Sequence, residues 1–580
     1  MCYRYIALYG DLQSIASESA SPLKGELQNL TLEYRGRVGR MTLLAPRDVP
    51  VLYLPDGGLL LGDLYRGDGR PVRDLTDIPD QPTPSAFRQH FLDHYWGEYL
   101  LFQPADRGDS ATVMRDPSGG IACAHSLKNG SGFITSDLAV ASRLGLYREE
   151  VDWAFVRHCL RYPNMKIART GLAGVCELLP GCILSIDGEK TSTHIGWSPW
   201  RFVMAEERQR DPIAATRSIR EATTSVVRAM AETDRTVLLE LSGGLDSSIV
   251  AACLKDAPAR VTCCTAITPL PGADERRYAS QMAAQLGIDL QQQILDFSDA
   301  QIAFELPLHS LRPAAWALSR AVARAMDEAA EQQNVNGLFS GGGGDTVFGY
   351  LRSAAPAADA FKAGGLAEGF SAIADLSRLH NCTVVKAARL TLRKLYFRPK
   401  APCTPDHTFL SRMDTAALFE PHPWFSAPPG VSPGDCERIF ELAGTQLFAD
   451  GTLRAGGRRV RFPLLSQPVM EACLRVPSWL WISSGRNRAM ARAAFSGELP
   501  QDVLNRRSKG TFMNYTFEVY RRNKETIRSF LLDGHLRSHG LLEPEMLDRF
   551  LERSLPARDR SFMRIFDLCM IENWTRNHAP

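Results

Sequence analysis

No stretch of the 580 residues reaches the length of apolar run that crosses a bilayer, so no membrane-spanning helix is expected. An excess of charge of either sign is also missing. The formal net charge is +2, too small to give a field for nucleic acid or a membrane surface, so neither is expected as a partner. Thirteen cysteines occur without a single C-x-x-C pair, which argues for buried thiols in a reducing cytoplasm rather than a disulfide framework. The chain also lacks H-E-x-x-H, G-x-S-x-G, the dinucleotide pattern G-x-G-x-x-G and the phosphate loop G-x-x-x-x-G-K-[ST]. The opening residues, Met1 to Gly10, read as a strand, because Asp11 ends the apolar run too soon for a signal-peptide core.

What the chain does have is the length for two or three domains and an ordinary soluble composition, 44% hydrophobic and 23% charged. Its most informative stretch is Thr236 to Ser248. An apolar strand, Val237-Leu238-Leu239-Glu240-Leu241, runs into Ser242-Gly243-Gly244-Leu245-Asp246-Ser247-Ser248, and a helical pattern follows at once. Two glycines let the backbone approach a ligand, while the hydroxyls and the free amides of the new helix form an anion site. Asp246 beside phosphates requires a divalent cation and reads as a magnesium ligand. This order resembles the PP-loop of ATP pyrophosphatases, which cut ATP between the α and β phosphates.

Around that loop the pattern alternates. A helix is expected over 213–233, strands over 261–268 and 291–295, a helix over 274–286 and a long helix beginning at Pro313. Strand, helix, strand, helix predicts a doubly wound parallel sheet with ligand at the carboxyl ends of the strands. A fourth strand, 335–339, delivers Ser340-Gly341-Gly342-Gly343-Gly344-Asp345-Thr346. Four glycines in series weaken any regular element by about 0.5–1 kcal/mol each, so exposed backbone must be required there. The loop reads as a second phosphate cradle, with Asp345 joining Asp246 around the metal. Candidate nucleotide-binding residues are therefore Leu241, Ser242, Gly243, Gly244, Asp246, Ser247, Ser248, Thr265, Ser340, Gly341 and Gly342.

A family resemblance extends these readings. The glycine loop is similar to the S-G-E-G-S-D-E segment of asparagine synthetases, with Gly342 in place of the glutamate and Thr346 in place of the last acid. Arg461-Phe462-Pro463-Leu464-Leu465-Ser466 is similar to that family's R-x-P-F-L-D, and Arg507-Ser508-Lys509 to its R-x-K. The resemblance implies that Lys509, Asp246 and Asp345 are catalytic, Lys509 as a point charge on the phosphates, and that ATP and Mg2+ are bound. Residues 1–205, a β pattern with Leu61-Gly62-Asp63, Trp96-Gly97-Glu98 and Arg115-Asp116-Pro117, resemble the glutaminase half of those enzymes. That half is an N-terminal-nucleophile (Ntn-hydrolase-like) β-sandwich that uses a terminal cysteine, here Cys2, and an Asn-Gly oxyanion pair. The pair reads Leu61-Gly62, so the domain is expected to be an inactive scaffold. Residues 206–580 would form the synthetase, an α/β domain with a helical C-terminal part.

The run Gly341 to Phe348, followed by the alanine-rich 352–360, resembles the lasso peptide cyclases. This implies closure of a macrolactam between an Asp or Glu side chain and the N-terminal amine of a precursor peptide. It also implies a leader-recognition protein and a cysteine peptidase as partners. The rivals are a β-lactam synthetase-like ligase and a glutamine-dependent asparagine synthetase. Two further expectations concern shape: a glycine floor with room for a folded peptide, and a proline-rich surface loop over 401–435, with Trp424-Phe425 on a peptide lid or an inert insertion.

Overall fold

The computed structural model describes the chain except for residues 1–2, 11–22, 75–77, 80, 106–109, 164, 271–273, 307–309, 316, 351, 398, 401–403, 413–419, 451–457, 508–509, 511, 557 and 580. The side chains of residues 23, 24 and 449 are likewise outside the description. Cys2 and Lys509 therefore lie outside the described residues.

Short strands broken by glycine and asparagine turns build two six-stranded sheets from the first 195 residues, all of whose pairings are antiparallel. Residues facing the space between them, among them Tyr5, Leu43, Leu61, Leu100, Val113 and Ile134, are buried in one apolar cluster. That is the packing expected of two sheets laid face to face.

The second half is organised on a five-stranded parallel sheet. Its strands are β1 (Thr236–Glu240), β2 (Arg260–Ile267), β3 (Leu290–Ile294), β4 (Gly337–Ser340) and β5 (Arg459–Arg461), in spatial order 3-2-1-4-5. Helices α1 (Pro212–Asp234), α2 (Leu245–Leu254), α3 (Arg276–Leu286) and α4 (Ala317–Gln332) connect and cover them. Each has a visible cause. α1 starts on Asp211, whose carboxylate accepts from two backbone amides, followed by Pro212 at the first position. α3 stops at Gly287 in the left-handed region. α4 is described from Ala317, four residues beyond the expected start at Pro313.

The strand order reverses between β1 and β4, and open sheets of this kind take their ligands at such a point, outside the carboxyl ends of the strands. Both motif loops leave the sheet at this point. A continuous apolar cluster also joins the halves, since Leu60, Trp96 and Tyr99 from the first pack in one core with Val226, Leu239 and Phe339 from the second.

Within the proline-rich stretch, residues 401–403 and 413–419 lie outside the described residues, and the apolar pair Trp424-Phe425 packs inward. Trp424 is buried and meets Trp197 edge-on at 5.6 Å, and from Pro433 the chain is already helical in α5 (Pro433–Asp450). The apolar pair belongs to the core, so a lid carried on Trp424 is ruled out. Among the described residues no helix is long and apolar enough to cross a membrane. Eleven cysteines are described, none in a disulfide, and nine of these are buried.

Candidate active site

β1 and β4 are hydrogen-bonded neighbours with Glu240 opposite Ser340, so their loops begin side by side. After β1 the chain turns through Gly243 at φ +71°, where an added Cβ would meet the backbone of Glu275 and Ala279 at 2.8–2.9 Å. Only glycine allows that close passage. The Ser242 hydroxyl accepts from Gly244 N–H at 3.3 Å and lies 3.0 Å from the Ser247 hydroxyl. Gly244 caps α2 without a side-chain bond, which leaves the positive end of the helix at this loop. Ser248 is buried, and its hydroxyl has no partner among the described residues. Unsatisfied donors over a glycine turn fit a triphosphate.

The second loop comes into contact with the first. A Cβ on Gly341 would stand 2.5 Å from Ser247 N, and one on Gly344 would stand 2.6 Å from Asp246 Cβ. The glycine run is what lets the loops nest. Ser340 donates to Glu240 at 3.2 Å and accepts from Gly342 N–H at 3.2 Å, which fixes the start of the turn.

Asp246 and Asp345 meet across one side chain. Arg488 Nη1 lies 3.0 and 2.9 Å from the two carboxylate oxygens of Asp246 and 2.7 Å from Asp345 Oδ1. Arg488 is buried, has φ +58° at the start of α6 (Ala489–Ala494), and its guanidinium carbon is 5.4 Å from the Tyr350 ring centroid. Two carboxylates converging on one cation, beside the positive end of a helix, are a donor set that magnesium takes when phosphates complete its shell. The pair fits that metal, which would be held by Asp246, Asp345 and the nucleotide.

Of the remaining candidates, Leu241 and Thr265 are buried. Leu241 donates its amide to Cys264 O at 2.8 Å, which makes it part of the sheet ladder. Residues on both sides of Lys509 meet Glu275, and one of them reaches the loop. Arg506 donates to Gly243 O at 3.2 Å and to Glu275, and Gly510 N–H donates to Glu275 at 2.7 Å. Arg492 holds this segment from behind through Arg506 O at 3.2 Å. Its burial and the neighbouring Arg488 charge push Arg492 down to about 10.

Gly342 departs from expectation. The floor is not open, because a Cβ there would overlap Phe448 Cε1 and approach Phe462 at 3.1 Å. Aromatic rings occupy the space left by the missing glutamate. Sequence reasoning missed Arg488 and Phe448, whose neighbours in the chain carry no motif; their role comes from contacts more than one hundred residues distant.

In the first half, Leu61 is buried in the apolar core where an amide donor would be needed, and Asp63 accepts from Tyr3 OH at 2.5 Å and from Arg461 Nη2 at 3.0 Å.

Comparison with known proteins now bears on this geometry. The family model described as asparagine synthase matches residues 218–576, more than half of the chain. The chain belongs to the asparagine synthase family. Members of this family are ATP-dependent ligases that form carbon–nitrogen bonds and release AMP. The chain is also similar to the amidase chry2 of Gibberella zeae, 25% identical over 305 residues. That match covers 48% of this chain and 42% of the fungal protein, so the chain spans less than half the length of this relative. Among solved structures, a glutamine phosphoribosylpyrophosphate amidotransferase from B. subtilis is 10% identical over 58% of this chain and 90% of its own, with a TM-score of 0.22. An allosteric regulatory enzyme of purine biosynthesis is 9% identical over 58% and 83%, with a TM-score of 0.21. At these scores neither likeness bears on the fold.

Proposed function

We propose that this family member closes a macrolactam in a ribosomally made peptide of the lasso type. In that reaction ATP activates an Asp or Glu side-chain carboxylate, pyrophosphate departs, and the peptide's N-terminal amine displaces AMP. The observation that carries an ATP site is the meeting of Asp246 and Asp345 on Arg488 at the switch point of the sheet. The peptide assignment is supported by the loss of the glutamate at Gly342 and by Leu61 in place of an amide donor, which speaks against amine drawn from glutamine.

Each loop has a task in this scheme. The α2 amides, Ser242 and Ser247 receive the phosphates, and the positive end of the helix favours their charge. Gly341 and Gly344 keep the second loop close enough for both carboxylates to serve one metal. Magnesium, when bound, neutralises phosphate charge as it develops. Lys509 supplies a further cation at the leaving pyrophosphate. An α-amine has a pKa of about 7.7–8.0, so a useful fraction attacks without a strong base, and losing the glutamate is tolerable. Holding amine and activated carboxyl together is worth up to about 7–11 kcal/mol.

The test is incubation with ATP, Mg2+ and the precursor peptide carrying a free N-terminal amine. The account expects AMP and a product lighter by one water, and no such product from Lys509→Ala. Formation of ADP, or no cyclised product from wild type, overturns the proposal, and full closure by that variant removes Lys509 from the mechanism.

A further inference from the structure

Phe448 is a large side chain that stays 51% exposed beside the glycine loop, and it is fixed there from both sides. One turn before it, Thr445 Oγ1 lies 2.9 Å from Thr346 Oγ1, which fastens α5 to the residue next to Asp345. Two residues after it, Asp450 ends the helix in an ion network. Lys166 reaches Asp450 at 2.8 Å and Glu177 at 3.0 Å; Arg312 reaches Asp450 at 2.9 Å and also binds Glu177. Phe462 follows the fully buried Arg461, and its ring meets that of Phe448 edge-on with centroids 5.4 Å apart. Both rings border Gly342, the residue after the Ser340-Gly341 turn.

A side chain at position 342 would collide with Phe448, so the glycine and the ring form one solution: the polar group was removed and an apolar wall took its space. A wall carried on a helix and at the end of a strand positions its ligand more sharply than a free loop could.

Building on the function proposed above, we propose that Phe448 and Phe462 form the specificity wall of the peptide site, which selects an aliphatic or aromatic side chain beside the carboxylate that is activated. Gly342 leaves the space that the two rings fill. A polar flanking residue would desolvate against the rings with nothing to bond, and would be rejected.

The test uses a peptide library with a free amine, one Asp or Glu, and all other positions randomised, closed with ATP and read by sequencing the products that lose one water. Wild type should enrich Leu, Ile, Met, Phe, Tyr or Trp beside the closing acid by about tenfold or more. Phe448→Ser should remove that enrichment and Phe448→Leu should keep it. Enrichment that persists in Phe448→Ser, or is missing from wild type, overturns the wall while leaving macrolactam closure standing. Closure of no library member by wild type overturns the functional reading itself, and the wall with it. The packing is checked separately. Gly342→Ala should lower the melting temperature, and adding Phe448→Ala should recover it; no recovery would show that the ring does not hold that space.

Discussion

Arg488 keeps two carboxylates together that would otherwise repel. One guanidinium nitrogen meets three carboxylate oxygens at 2.7–3.0 Å, on a backbone whose φ of +58° is strained for a side chain with a Cβ. Arg488→Gln leaves Asp246 and Asp345 facing each other uncompensated. It should cost about 2–4 kcal/mol in urea unfolding, and it should tighten binding of Mn2+ in the absence of nucleotide, measured by electron paramagnetic resonance. Unchanged stability together with unchanged Mn2+ affinity would contradict a cation-bridging role. Gly341 tests the nested loops. A methyl group there presses on Ser247 N, which belongs to the backbone and cannot swing aside. Gly341→Ala should therefore weaken binding of a non-hydrolysable ATP analogue about tenfold or more by calorimetry, and an unaltered affinity would separate the two loops functionally.

At the scale of elements, the parallel sheet and its two loops were legible because each is written locally. β-branched and leucine-rich strands end in glycine, and amphipathic helices end at caps. Helix α5 was only half legible. Its first residues were assigned to a proline-rich loop, since Pro433 reads as a breaker until it is seen at a helix start, where its missing amide costs nothing. The partner of Phe448 was hidden for a different reason. Its contact with Gly342 joins residues far apart in the chain, and no periodicity records such a contact. His422 ties this helix to the segment before it. Its Nδ1 accepts from Trp424 N–H at 3.0 Å, and its Nε2 lies 3.0 Å from Gln446 Oε1. Burial pushes His422 down to about 4. Between about pH 6.5 and 4 the unfolded chain therefore takes up a proton that the folded chain refuses, so stability falls as the pH drops through that window. His422→Gln should flatten the melting temperature in this range relative to wild type, by up to roughly 3 kcal/mol at its lower end. Parallel curves for the two proteins would remove His422 as the cause.

Across the whole molecule, the first half acts as a mount for the second. Arg461 is fully buried between Asp234 of α1, at 2.9 and 3.0 Å, Asp63 of the N-terminal sheet at 3.0 Å, and Glu98. Burial, together with the competing charges of Asp63 and Asp234, raises Glu98 above the usual carboxylate range, although Arg461 draws it down. Asp63 follows Leu61-Gly62, where the resemblance leads one to expect Asn-Gly. What Asp63 does was not legible in the sequence, because its partner lies 398 residues away. Arg461→Met should strand these acids and destabilise the protein by about 3–5 kcal/mol in denaturant, with both halves unfolding in one transition because they share a core. Two separated transitions would show that the halves stand alone. The most direct test of the central claim is a crystal structure of the chain with Mg2+ and α,β-methylene-ATP. The account predicts the triphosphate between Ser242–Ser248 and Gly341–Asp345, with the metal on Asp246 and Asp345. A nucleotide bound anywhere else, or phosphates that touch only one of the two loops, would contradict it.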